Sequence, residues 1–304
     1  MRYLITGSSG FIGANLRDFL ISEGHDVIGL DIRDDADIVA DISSLDWSEL
    51  ECGEIDGVVH LGAMTSVPES ISKPEEYYKT NVDGSKNLFE WCNYSGVPNV
   101  VFASSAAVYG DSDAEIKTVG EEGEMGSPYA ETKFIGEKIA KQNSNENTRF
   151  ICLRFFNVYG PGQAIDSNYG AVIPSFINRA IKSENLEIFG DGSQTRDFVH
   201  VHDICKAIMG ALQRDIGNYA IINVGSGRGT SIDSLARSVA QLAKERGVSD
   251  PEIKFENRRQ GDVEHSISDI GDLDKLMDVG KMIEFSDGLE NLFSHELRDF
   301  ENRS

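Results

Sequence analysis

Residues 2–13, RYLITGSSGFIG, decide the fold when read with DVIGLD at 26–31. RYLIT (2–6) is an apolar run of strand length, the stretch from Phe11 to Glu23 has the spacing of an amphipathic helix, and DVIGLD is a second strand. Between the first strand and the helix stand Gly7, Gly10 and Gly13, a G-x-x-G-x-x-G spacing that puts Phe11 and Ile12 at the helix start. Glycine there lets the backbone turn tightly and approach a pyrophosphate, whose charge meets the exposed amides of the helix N-terminus. Asp31 closes the second strand about 20 residues further on, where a carboxylate accepts hydrogen bonds from an adenosine ribose and disfavours a 2′-phosphate. The pattern predicts bound NAD rather than NADP, with Arg33 close by working against that preference.

Outward from this unit, GVVHLGA (57–63), NVVFASS (99–105) and RFICLRFFNVYG (149–160) read as further apolar strands, with helical patterns around 75–94 and 127–142. Near-continuous apolar strands joined by helical crossovers predict a parallel sheet covered on both faces, the doubly wound α/β (Rossmann) arrangement. Beyond residue 160 the pattern loosens: YGPGQ clusters Gly and Pro, AVIPSFINRAI (171–181) reads as a helix, and the turn GSGRG (225–229) precedes another near 231–246. The expected division is a dinucleotide-binding domain over 1–165 and a smaller α/β lobe over 166–304, with 198–222 free to return to the first. No repeat and no biased linker separates them, so the lobes should pack together.

The chain has 304 residues, enough for a sizeable core, and its 28 Lys and Arg against 51 Asp and Glu leave a net charge of −23. Such a field repels nucleic acid and anionic lipid, and is otherwise a solvated surface suited to salt or solubility. No basic-then-apolar leader opens the chain and no run approaches about 18 apolar residues, so a cytoplasmic protein off the membrane is expected. Cys52, Cys92, Cys152 and Cys205 are too widely spaced for C-x-x-C and read as buried thiols. His200 and His202 alternate on an expected strand and so face opposite sides, poor geometry for one metal, and no metal site is proposed. No G-x-S-x-G elbow supports a serine hydrolase.

The chemistry concentrates elsewhere. Tyr129 and Lys133 form Y-x-x-x-K, placing phenol and ammonium one helical turn apart on one face. A tyrosine ordinarily titrates near pH ~10, too high for a base at neutrality; a neighbouring ammonium and an oxidised nicotinamide would lower it. Lys133 then has two tasks, holding the ribose and acidifying Tyr129. Ser105 ends a strand at the carboxyl edge of the sheet, where ligands of doubly wound folds bind, and can hydrogen-bond a substrate hydroxyl.

With these residues in place, the sequence resembles the extended short-chain dehydrogenase/reductase family and, within it, the nucleotide-sugar 4-epimerases. The resemblance runs through TGSSGFIG, Asp31, Asp41-Ile42, HLGA (60–63), TNVDGSKNL (80–88), SSAAVYG (104–110), Y-x-x-x-K, RFFNVYGPGQ (154–163), FGDGSQTRDFVHVHD (189–203) and RRQGD (258–262). It implies that Ser105 and Tyr129 handle the proton of a sugar C4 hydroxyl and that Lys133 binds the nicotinamide ribose. Asp41 and Ile42 would border the adenine, and Leu61 and Ala63 would join the cofactor site. Asn157, Arg196 and Arg259 would hold the substrate diphosphate, Phe189 would neighbour the uracil, and Asp262 would bind the nucleotide ribose. Tyr77, Tyr78, Phe89 and Trp91 read as core or interface, and the resemblance implies a homodimer through a four-helix bundle that includes the helix of Tyr129.

Related dehydratases and decarboxylases place acidic residues just after the catalytic Ser or Thr; here these are Ala106 and Ala107, whose methyl groups move no proton. Ser266 stands where hexose-restricted relatives carry a bulky Tyr, and Ala171, with Val172 beside it, where they often carry Asn. Small residues there leave room for a C2 acetamido group, so the resemblance favours UDP-N-acetylglucosamine/N-acetylgalactosamine interconversion with UDP-glucose/UDP-galactose also accepted. A UDP-glucuronate 4-epimerase, a nucleotide-sugar 4-ketoreductase and an NAD-sensing binding protein of the same fold are the alternatives. Thr65 departs from relatives that place a phosphate-binding Lys in its loop.

Overall fold

The computed structural model describes residues 1–164, 171–258 and 263–303. In chain order it has β1 (Arg2–Thr6), α1 (Phe11–Ser22), β2 (Asp26–Asp31), β3 (Ile38–Val39), β4 (Gly57–His60), α2 (Val67–Ser72), α3 (Pro74–Tyr77), α4 (Ser85–Tyr94), β5 (Asn99–Ser105), β6 (Ile116–Lys117), α5 (Pro128–Asn143), β7 (Arg149–Phe155) and β8 (Asn157–Tyr159). It continues with α6 (Val172–Ile181), β9 (Leu186–Phe189), β10 (Thr195–His200), α7 (Val201–Gln213), β11 (Tyr219–Val224), β12 (Gly229–Ser231), α8 (Ile232–Glu245), β13 (Ile253–Glu256), β14 (His265–Ser268) and α9 (Phe285–Arg303).

The doubly wound sheet is present: seven parallel strands in the order β11-β7-β5-β4-β1-β2-β3. Side chains alternate along each strand, so every long strand feeds two cores. Tyr3, Ile5, Val59, Val101, Ile151 and Leu153 pack with Leu16 and Leu20 of α1 and Ile204 and Ile208 of α7. Leu4, Val58, Val100, Phe102, Phe150 and Cys152 pack on the opposite face with Leu88, Phe89, Trp91 and Cys92 of α4 and Ala140 of α5. Both faces are covered, which is why these strands are predominantly apolar. The strand order turns back between β1 and β4, and ligands of such sheets bind outside the carboxyl ends at that point. A third core gathers α6, α8 and α9 over β9 and β10. The chain returns to the large sheet for α7 and β11, and Leu273, Leu276 and Met277 also pack into its core.

The helical pattern at 75–94 is helical throughout, with a π-helical segment over Tyr78–Gly84 joining α3 to α4. Two local expectations need correction. The single strand read over 149–160 is two, because β7 lies in the large sheet while β8 pairs with β10. FVHVHD is not all strand: β10 ends at His200, whose Nδ1 accepts from the His202 backbone N–H and caps α7. His202 is therefore a helical residue. All four cysteines are buried free thiols, and among the described residues no helix is long and apolar enough to cross a membrane.

Candidate active site

Gly7 follows β1 with φ +72°, and a Cβ there would lie 2.7 Å from the Gly62 nitrogen, so the turn after β1 and the turn after β4 abut as only glycine permits. A Cβ on Gly13 would fall 2.1 Å from the Gly7 carbonyl oxygen. α1 starts at Phe11 with Gly10 as cap, no side-chain capping bond and no acidic residue in its first turn. An uncapped helix N-terminus over a glycine cradle is the arrangement that receives a pyrophosphate. Asp31 Oδ2 accepts from the Ser9 N–H at 3.0 Å and Oδ1 from the Arg33 N–H at 3.1 Å, while Arg33 Nη1 donates to the Ser9 carbonyl at 2.9 Å. The carboxylate and its neighbouring cation thus brace the loop together. Ile12 and Leu61 lean on the core behind it and Ala63 is half-buried. Ile42 is buried against Gly84, whereas Asp41 is exposed and accepts from the Ser43 N–H at 2.8 Å.

Ser105 is the last residue of β5, and its Oγ accepts from the Ala107 N–H at 3.1 Å, opening the short turn Ala106–Tyr109. α5 is capped by Ser127, whose Oγ accepts from the Ala130 N–H at 3.2 Å, and Pro128 occupies its first position. That start places Tyr129 against Ser105. Burial pushes the Tyr129 phenol above its ordinary value, and the hydrogen bond with Ser105 pulls it part of the way back. Lys133 is 4% exposed; its Nζ donates to the Ala103 carbonyl at 2.8 Å and lies 5.9 Å from the Tyr129 ring centroid. Burial lowers its pKa to about 8. Phenol, serine hydroxyl and ammonium therefore converge at the carboxyl edge of the sheet, a set that can move the proton of an alcohol.

The residues expected to contact the substrate lie on the small sheets and at the start of α6. Arg196 and Ser266 are register partners across β10 and β14, and Arg196 Nη1 donates to the Thr195 carbonyl at 2.8 Å. Asn157 in β8 pairs with Phe198 and is exposed. Ala171 caps α6, exposed, with Val172 half-buried beside it. Phe189 ends β9; its carbonyl accepts from Gln194 Nε2 at 2.7 Å. The following turn lines a cavity of about 220 Å³ with Arg258 and Glu264. Arg259 and Asp262 lie outside the described residues.

Residues 3–225 match the profile of the NAD dependent epimerase/dehydratase family. The chain belongs to that family. This family member is 34% identical to a putative UDP-glucose 4-epimerase of Methanocaldococcus jannaschii, over 90% of this chain and 91% of the other. It is 33% identical to a UDP-N-acetyl-alpha-D-glucosaminuronate decarboxylase of Bacillus cytotoxicus, over 79% and 80%. Among solved structures, a UDP-N-acetylglucosamine 4-epimerase from Methanobrevibacter ruminantium M1, in complex with UDP-N-acetylmuramic acid, superposes with a TM-score of 0.87 at 31% identity, covering 100% of this chain and 99% of that one. The protein is an NAD-dependent enzyme of the epimerase/dehydratase type, and the glycine cradle, the uncapped α1 and Asp31 fit that cofactor.

The epimerase/dehydratase site also holds a buried polar chain beyond the residues expected from the sequence. Ser85 Oγ donates to the Asn81 carbonyl at 2.5 Å, so it must accept from His60 Nε2–H at 2.8 Å; His60 Nδ1 is then the acceptor for Thr6 Oγ1 at 2.7 Å. Burial, with Lys133 adding to it, holds His60 neutral with a pKa of about 3. Asn81 binds both backbone groups of Met64 and donates to Thr132, whose hydroxyl donates to the Tyr129 carbonyl at 2.8 Å. Strand β1, the turn after β4 and the helix of Tyr129 are thereby tied through one network. The available signal was a histidine and an asparagine inside otherwise apolar or helical segments.

Proposed function

We propose that the enzyme reversibly inverts C4 of a UDP-hexose through a transient 4-keto sugar, favouring UDP-N-acetylglucosamine/N-acetylgalactosamine and also accepting UDP-glucose/UDP-galactose. The convergence of Tyr129 and Lys133 on the end of β5 carries this reading: Lys133 Nζ is bonded to the carbonyl of Ala103, two residues before Ser105, and lies 5.9 Å from the Tyr129 ring centroid. Tyr129, as phenolate, takes the C4 hydroxyl proton; Ser105 orients that hydroxyl; Lys133 supplies positive charge and a donor for the cofactor ribose. NAD, when bound, supplies the hydride acceptor and returns the hydride, so there is no net oxidation. After the sugar turns over about its diphosphate link, Tyr129 gives the proton back. Arg196, with Arg259 and Asn157, would hold the diphosphate while the sugar moves, firm on the nucleotide and loose on the hexose.

Ala106 and Ala107 favour epimerisation over dehydration or decarboxylation, because the two residues directly after Ser105 carry no second acid or base. The Ser266 side chain beside Arg196 and the methyl of Ala171 leave volume for an acetamido group. α4 and α5 lie side by side on the outer face, joined by Asn93 Nδ2 donating to the Asn143 carbonyl at 3.0 Å, and we read that face as the dimer surface; light scattering should return twice the chain mass.

The deciding experiment incubates the purified protein, with NAD supplied, separately with UDP-N-acetylglucosamine, UDP-glucose and UDP-glucuronate and resolves the products by chromatography. The C4 epimer should form fastest from the N-acetylated sugar. Unchanged sugar in all three tubes removes the reading, and turnover confined to the uronate replaces the substrate.

A further inference from the structure

The stripe of α5 that bears Tyr129 and Lys133 continues one turn further to Glu137, 1% exposed. Glu137 Oε1 accepts from the Ser104 hydroxyl at 2.6 Å and from Arg154 Nε at 2.8 Å, and Oε2 accepts from Arg154 Nη2 at 2.7 Å. Arg154 on β7 is fully buried; its remaining Nη1 donates to Glu122, in the segment between Ser105 and Tyr129, and its guanidinium lies 4.9 Å from the Tyr109 ring centroid. Burial by itself lowers the pKa of this arginine, but its carboxylate partners outweigh burial and raise it. Tyr109 in turn donates to Asn223 Oδ1 at 2.6 Å, and Tyr219 donates to the Glu137 carbonyl at 3.0 Å.

We propose that Glu137 and Arg154, with Glu122, form a positioning device that sets the rotation and axial register of α5 on β5, and so the meeting of Tyr129 with Ser105. The inference rests on the reading of those two residues as the proton-handling pair. Its basis is the composition of the helix face. The buried residues of α5 are Tyr129, Ala130, Thr132, Lys133, Gly136, Glu137 and Ala140, with no Leu, Ile, Val, Phe or Met among them. Helices ordinarily lock their register by large apolar knobs fitting between neighbours; α5 instead approaches so closely that a Cβ on Gly136 would lie 2.4 Å from Phe102. Small residues permit sliding, whereas a bidentate guanidinium–carboxylate fork accepts one geometry. Charges buried this deeply contribute little net stability compared with apolar replacements of similar volume, so geometry is what the cluster adds. Ser104 extends the control, because it immediately precedes Ser105 on the same strand.

The test replaces the charges by apolar groups of comparable size, Glu137→Leu/Arg154→Met, in the NAD-loaded protein. The double variant should fold and retain NAD, while kcat for UDP-hexose interconversion falls by about tenfold or more with KM changed by less than about threefold. In protein carrying 13C-labelled tyrosine, the Tyr129 resonance, assigned with Tyr129→Phe, should titrate at higher pH than in the parent, because the Ser105 hydrogen bond is weakened. A kcat within about twofold of the parent overturns the proposal. If the double variant does not fold, Ser104→Ala, which removes one hydrogen bond and no charge, decides: a fall in kcat of about threefold at an unchanged melting temperature is expected, and an unchanged kcat overturns it. Should the parent itself turn over no UDP-sugar, the functional reading fails separately. The Tyr129 titration then decides the positioning claim, and an unmoved titration in the folded variant, Ser104→Ala included, ends it.

Discussion

Tyr129 and Lys133 sit on a helix pinned from behind by buried polar groups, from Thr6 and His60 through Asn81 and Thr132 to the Tyr129 carbonyl, and Ser105 follows Ser104, which is bonded to Glu137 of the same helix. The half proposed to receive the substrate is built differently: Asn157 and Ala171 are exposed, and Val172, Phe189, Arg196 and Ser266 are half-buried on short strands and a helix start. The contrast fits a reaction in which the reacting oxygen must meet a fixed base while the sugar has to turn over. On the proposed reaction, rigid geometry belongs to the chemical half, and tolerance to the half proposed to receive the hexose. If this division is right, substitutions in the chemical half should strike kcat, and those in the sugar half should redistribute substrates.

The largest expected effect is Tyr129→Phe. It removes the proton acceptor and little volume, so NAD should remain bound while turnover falls by about 10²- to 10⁴-fold. Stopped-time product analysis on UDP-N-acetylglucosamine checks this; activity near the parent's would mean that another group takes the proton and that the pinned half is not the chemical one.

The next prediction separates function from stability at Lys133. Its folded pKa of about 8 lies below the ordinary lysine value, so between about pH 8 and 10.5 the unfolded chain binds more protons than the folded one and stability rises with pH. Below that window the buried ammonium costs on the order of 3 kcal/mol. Lys133→Met should therefore unfold at higher urea than the parent at pH 7 in the NAD-free protein, with the gap closing towards pH ~10, while activity is lost. A gap that is absent, or that does not change with pH, would show that this cation is not held at the expense of stability.

The two halves also differed in what the sequence could disclose. The glycine loop, Asp31 and the long strands were legible because sharp backbone demands and two-sided burial each leave a local signature. Ser105 was legible as a candidate through its place at a strand end, and Tyr129 through its helical spacing to Lys133. The polar network was not, because His60, Ser85, Asn81 and Thr132 come from separate elements and only folding brings them together. Arg154 and Glu137 lay inside or beside recognised motifs, yet a charge in the middle of an apolar strand reads as an anomaly until its partner is seen. At FVHVHD, alternation predicted strand past the point where the His200 side chain caps a helix. At 149–160 one apolar run concealed the passage from the large sheet to a small one.

The smallest effect tests the tolerant half. Ser266 is the register partner of Arg196, so a side chain enlarged there intrudes beside the group proposed to hold the diphosphate. Ser266→Tyr should fill the space assigned to the acetamido group and leave the plain hexose room to turn. A pocket that excludes a group of this size discriminates by about 1–3 kcal/mol, so the ratio of kcat/KM for UDP-N-acetylglucosamine to that for UDP-glucose should fall by roughly tenfold or more. Tyr129 and Ser105 are untouched, and kcat for UDP-glucose should stay close to the parent's. Equal loss on both sugars would show that the residue supports the chain rather than the substrate, and that selectivity resides in side chains other than Ser266.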